Sequence, residues 1–125
     1  MLRDAPLMPL VGVADLDRAR AFYGDVLGLP VLDEDGFAVS VGCGGSTLRI
    51  TRVEEPVAAV YSVLAWRVPD IAAAVDGLAA AGVEFLRYPG MDQDARGVWT
   101  APGGAKVAWF HDPDRNNLSL VQMPA

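Results

Sequence analysis

Two stretches decide the fold: VADLDRARAFYGDVLGL at residues 13–29 and VPDIAAAVDGLAAAGVEF at residues 68–85. Each opens on a strand-like run, places an Asp where a helix would begin, and follows it with apolar residues at helical spacing. The carboxylates of Asp15 and Asp70 can accept hydrogen bonds from the first free backbone N–H groups of the helices they precede. Leu16, Ala19, Phe22, Val26 and Leu27 fall on one face of the first helix; Ile71, Ala74, Val75 and Leu78 fall on one face of the second. Gly28 and Gly82 can take the left-handed conformation that stops each helix. Asp15 and Asp70 are 55 residues apart, and Gly28 and Gly82 are 54 apart. The chain therefore writes the same unit twice.

Working outward, residues 8–14 read as a strand leading into the first helix. LPVLDEDG (29–36) reads as a strand and turn. FAVSVGCGGSTLRIT (37–51) reads as two strands joined around Gly42, Gly44 and Gly45. In the second copy, YSVLAWRV (61–68) supplies the leading strand and VEFL (83–86) begins another. Later strands are predicted at 97–101, 105–111 and 117–123, with turns at APGG (101–104) and DPDRNN (112–117). The expectation is an α+β fold in a single domain of paired βαβββ modules. Module one spans 7–52, a linker 53–59 and module two 60–123. Mixed sheets would curve around a cleft with the helices outside.

The chain has 125 residues, ten basic and sixteen acidic, for a formal charge of −6. No basic cluster offers a footprint for nucleic acid. No apolar run is long enough to span a membrane, and the N-terminus does not separate a basic from an apolar region, so no signal peptide is expected. The single cysteine, Cys43, excludes an intrachain disulfide framework and points to the cytoplasm. An acidic surface serves solubility and would also attract a small cationic ligand.

The two stretches above, together with WFHDPDRNNLSLVQ (109–122), resemble the vicinal oxygen chelate superfamily of glyoxalases, extradiol dioxygenases and fosfomycin- and bleomycin-resistance proteins. The resemblance covers nearly the whole chain and implies the paired-module fold and a homodimer. Metal enzymes of that superfamily place His, Glu or Gln at four inward strand positions. Carried over on the motifs, these positions hold Met8, Arg49, Val63 and Ser119. None is a usual ligand for a catalytic metal, and a guanidinium would repel the ion. The resemblance thus implies no metal and no cofactor here. It is nearest in pattern to the bleomycin-resistance-like branch, whose strand start Met8-Pro9 resembles.

Other residues could contact a ligand. Strand parity with Met8, Val63 and Ser119 sets Arg49 and Arg67 on the inner side or its rim, where each needs an acidic partner from the protein or from a ligand. Trp99 and Trp109 offer flat surfaces for stacking, whereas Trp66, alternating with Arg67, is expected beneath a helix. His111, Trp109 and Val107 share one strand face, and Ala108 and Phe110 the other. His111 is the only histidine and the one candidate for proton transfer. Cys43 has no activating base in its sequence surroundings. Asp112, Asp114 and Asn116 alternate as in a calcium loop, but the Gly and Glu that loop needs are replaced by Asn117 and Met123. Arg115 stands where this turn usually has Gly, which would shift the left-handed residue to Asn116 or Asn117.

The leading expectation is a metal-independent protein that binds or sequesters a small aromatic, cationic or oxygenated molecule. Met8, Arg49, Val63, Arg67, Trp99, Trp109 and Ser119 are its candidate contacts. One alternative is a cofactor-free isomerase or lyase acting on a small oxygenated metabolite through His111. Another is a metal-dependent lyase or dioxygenase.

Overall fold

The computed structural model describes residues 1–125, which divide into two compact units, Met1–Val57 and Ala58–Ala125. In the first unit β1 (Leu10–Val13) leads into α1 (Leu16–Arg20), which continues as a π-helix over Ala21–Val26. Three strands follow: β2 (Val31–Glu34), β3 (Ala38–Cys43) and β4 (Ser46–Arg52). In the second, β5 (Leu64–Arg67) precedes α2 (Ile71–Ala80), then β6 (Trp99–Thr100), β7 (Lys106–His111) and β8 (Asn117–Gln122). The sheet orders are β1-β4-β3-β2 and β5-β8-β7-β6. In each, the leading strand lies parallel to the last and the remaining pairs are antiparallel. The expected paired βαβββ architecture of open, mixed sheets is present, and no helix is long and apolar enough to cross a membrane.

The caps work as their chemistry requires. Asp15 accepts from the Arg18 N–H at 3.0 Å, and Asp70 from the Ala73 N–H at 3.1 Å. Gly28 (φ 74°) and Gly82 (φ 99°) close the helices in the left-handed region. Pro9 lies just before β1, so its missing N–H breaks no ladder, while its carbonyl accepts from the Arg49 N–H at 2.9 Å.

Each helix covers one face of its own sheet. In the first unit that face carries Val11, Val13, Val39, Val41, Leu48 and Ile50, all buried. In the second it carries Ala108, Phe110, Leu118 and Leu120, with Ile71 and Val75 of α2 buried above them. Trp66 belongs to this side and stacks on Phe110, their centroids 6.3 Å apart.

Three local expectations need correction. The first helix does not stay α-helical to Gly28: Leu27 N–H reaches back to the Phe22 carbonyl, five residues away, and the widened turn buries Tyr23 completely. Residues 83–86 do not form a strand; Phe85 makes only a single bridge to Phe110. The Gln93 side chain replaces the missing strand neighbour. Its Nε2 donates to the Leu86 and Gly97 carbonyls, and its Oε1 accepts from the Tyr88 N–H at 2.7 Å. Third, Arg115 itself takes the left-handed conformation (φ 65°), not Asn116 or Asn117. The buried Asp112 carboxylate dictates this by clamping the backbone on both sides, accepting from the Asp114 N–H at 2.9 Å and the Asn116 N–H at 2.8 Å. Holding a residue with a Cβ there costs about 1–2 kcal/mol, and glycine returns some of that as unfolded-state entropy. Arg115→Gly is therefore expected to raise stability by about 0.5–1 kcal/mol, read as a higher melting temperature. An unchanged or lower one would show the turn to be unstrained.

Candidate functional site

With one face of each sheet under a helix, the other face carries the sequence candidates. In the first unit Arg49 sits opposite Leu10 on β1 and Ser40 on β3, with Met8 two residues ahead of Leu10. Met8 and Leu10 are exposed, and Arg49 is half-buried. In the second unit the register aligns Ala65 with Ser119 and Trp109, Arg67 with Val121, Val107 with Trp99, and His111 with Asn117. Parity joins Val63 and Arg67 to the same face. This settles which side of β7 is bare: His111, Trp109 and Val107 face away from α2.

On that face Trp99 lies against Trp109 with centroids 6.2 Å apart, and Tyr88 meets Trp109 edge-on at 5.4 Å. The aromatic line ends at the Tyr88 hydroxyl, which accepts from Asn117 Nδ2 at 3.0 Å. Ser119 is buried, and its hydroxyl pairs with that of Ser62 at 2.8 Å; Ser62 donates onward to the Leu64 carbonyl. That pairing gives Ser119 a structural bond of its own.

An open pocket of about 370 Å³ lies wholly within the second unit, beside this aromatic line. Its size is that of a small-molecule site. Leu86 and the exposed Val60 give it apolar surface; Tyr88, His111, Arg115 and Asn117 bring polar groups to it. His111 is held below the ordinary imidazole range, first by burial and then by the Arg115 cation, against the opposing pull of Asp112. It is neutral at pH 7 and can accept a proton.

Among the sequence candidates only His111 lines this pocket. Val63, Arg67, Trp99, Trp109 and Ser119 share its sheet face, whereas Met8 and Arg49 belong to the other unit. Tyr88, Arg87 and Asn117 were missed. Tyr88 and Asn117 are 29 residues apart and meet only in the fold. The single sequence signal was Arg115, out of place in a turn that favours glycine.

The first unit has a pocket of about 410 Å³ beside α1, several of whose charges are already engaged. Arg20 pairs with Glu34 at 2.9 Å, and Asp35, kept below the usual carboxylate range by the Phe37 and Ala38 N–H groups, serves its own turn. No three of the His, Cys, Asp and Glu side chains stand close enough to share a metal ion.

A family model described as the glyoxalase/bleomycin resistance protein/dioxygenase superfamily matches residues 7–120. The chain belongs to that superfamily. Among solved structures, the bleomycin resistance determinant encoded on transposon Tn5 is similar, with a TM-score of 0.76 at 21% identity over 95% of this chain and 98% of that one. A glyoxalase family protein from Enterococcus faecalis also has a TM-score of 0.76, at 21% identity, covering 97% and 99%. Lactoylglutathione lyase from Agrobacterium tumefaciens has a TM-score of 0.69 at 22% identity, covering 95% and 93%. At these identities the likeness is one of fold, and members of one fold differ in chemistry. No curated protein matches the chain.

Proposed function

We propose that this member of the superfamily is a metal-independent protein that binds or sequesters a small molecule. The observation that carries the reading is the bare face of the second sheet, where Trp99, Trp109 and Tyr88 form one aromatic line beside a pocket of small-molecule size. Flat aromatic surface with few polar anchors is what holds a compact organic ligand. The superfamily's metal positions do not fit a metal in this chain: a thioether, a guanidinium, an alkyl group and a hydroxyl already bonded to Ser62 make a poor donor set. Accordingly no step is routed through an ion.

Trp99→Ala tests the aromatic line. Ring–ring contacts contribute about 0.5–1.5 kcal/mol beyond buried area, so an aromatic ligand reaching this line is expected to bind about two- to tenfold more weakly by calorimetry. Unchanged affinity would take Trp99 out of the site.

One observation favours a second reading, a cofactor-free isomerase or lyase acting on a small oxygenated metabolite. His111 is neutral and stands beside a guanidinium able to stabilise an oxyanion. Steady turnover lost in His111→Ala, with binding retained, would establish it over sequestration. The protein is also proposed to be a cytoplasmic homodimer. The exposed apolar residues Met8, Leu10 and Val63 on the bare faces support association, since such surface seeks cover. Light scattering at micromolar concentration should give the mass of two 13.2 kDa chains; the mass of one would refute it.

A further inference from the structure

The pocket of the second unit has a charge opposite to that of the chain. The protein carries a formal −6, yet the pocket lining contains two arginines, Arg87 and Arg115, and no carboxylate. Asp112, whose charge reaches His111, is turned into its own loop, where its two oxygens hold the Asp114 and Asn116 N–H groups and the Asn116 amide. Arg87 donates to the Ala95 carbonyl at 2.7 Å and more weakly to that of Gln93, so its position is fixed by neutral acceptors and its charge is not cancelled. Arg115 has no carboxylate partner. A cation held without a counter-ion beside an apolar wall favours an anion in the space between them.

Two further features point the same way. The Tyr88 oxygen accepts from Asn117 Nδ2, which leaves the Tyr88 proton with no acceptor in the chain and available to an incoming oxygen. Asn117 is 3% exposed, and its Oδ1 has no hydrogen-bond partner. Buried polar atoms are nearly always satisfied, and the exceptions gather at working sites. Arg115 also holds a left-handed backbone that glycine would occupy at lower cost, and strain of this kind persists where the residue has another use.

We propose that the second unit carries an organic-anion site in which Arg115 and the Tyr88 hydroxyl hold the carboxylate of a small acid whose apolar body lies against Leu86 and Val60. The site deepens the binding reading above and rests on it by naming the ligand class: a compact, preferably aromatic, carboxylic acid. Neither a cation nor a neutral ring would meet the two donors. The overall negative charge of the chain works against long-range attraction of such an acid, so recognition comes from the local guanidinium and is sensitive to salt.

The test is calorimetric titration of the full chain with three probes of one size: benzoate, benzyl alcohol and benzylamine. Benzoate should bind at least tenfold more tightly than either of the others, and its affinity should fall as salt is raised. Arg115→Gly should weaken benzoate tenfold or more while the variant melts no lower than the parent, which separates lost binding from lost folding. Tyr88→Phe, which removes the donor together with the acceptor of Asn117 Nδ2, should weaken benzoate several-fold and change benzyl alcohol binding less. Equal affinity for benzoate and benzylamine, or an Arg115→Gly variant with parental affinity for benzoate, overturns the proposal. Tighter binding of benzylamine overturns it too, while leaving the small-molecule reading in place. Failure of all three probes to bind overturns the anion site alone, because the broader reading is tested separately by compounds retained from the cell.

Discussion

Phe110→Ala should destabilise the protein by about 3–5 kcal/mol, the usual cost of emptying a buried phenylalanine site. Phe110 is completely buried in β7, on the face that α2 covers. Its ring stacks on Trp66 and meets Phe85 at 5.5 Å, and across the ladder it lies opposite Leu118, which is also completely buried. A truncated side chain leaves a cavity walled by large rings that cannot collapse into it, so the transfer and cavity terms add. A domain stable by only about 5–15 kcal/mol loses much of its margin this way. Its neighbour Trp109, one residue earlier and on the bare face, is the matched control. Trp109→Ala should cost distinctly less, because that ring is only half-buried. Urea unfolding followed by circular dichroism measures both. Equal losses would mean that the two faces of the second sheet are covered alike.

Asp112→Ala is the second large effect, with an expected loss of about 2–4 kcal/mol. Asp112 is buried at 4% exposure, and its carboxylate accepts three hydrogen bonds, two from backbone N–H groups and one from the Asn116 amide at 2.8 Å. Bonds to a charged acceptor are each worth about 1.5–3 kcal/mol, and donors left buried without a partner add their desolvation cost. Removing the clamp also frees Arg115 from its left-handed backbone, which returns part of the loss. Asp112→Asn keeps one accepting oxygen and should recover about half. Chemical denaturation ranks the three proteins, and Asp112→Asn falling as far as Asp112→Ala would show that charge, not acceptor geometry, holds the turn. Since the turn carries Arg115 and leads into Asn117, loss of the clamp should weaken ligand binding as well as stability.

What the sequence made legible follows from which interactions are local. Asp15 with Gly28 and Asp70 with Gly82 are start and stop signals whose partners lie within a few residues, so the repeat and the paired modules could be read directly. Strand alternation likewise grouped His111 with Trp109 and Phe110 with Ala108, but only the packing of α2 shows which group is covered. The strand expected at residues 83–86 failed because its backbone groups are satisfied by one side chain, Gln93, an arrangement with no periodicity to detect. Tyr23 escaped notice because the change from α to π winding alters which side chains face the sheet.

The candidate site shows the same division. Carrying superfamily positions onto Met8, Arg49, Val63 and Ser119 gave four residues that are poor metal donors. It did not reveal what the chain has in their place. Tyr88 and Asn117 become partners only through the fold, and Arg87 is positioned by carbonyls of the irregular segment that follows it. Arg115 was visible as an exception to a glycine turn, and Asp112 supplies the physical cause of that exception.

The proposed function requires that this superfamily member hold an organic ligand without a metal. Native mass spectrometry of the full chain, purified from its own cells without chelator and paired with elemental analysis, tests it most directly. An intact organic compound should be released on unfolding, with no stoichiometric zinc, nickel, manganese or iron. One tightly held metal ion per chain, lost on substitution at Met8, Arg49, Val63 or Ser119, would contradict it.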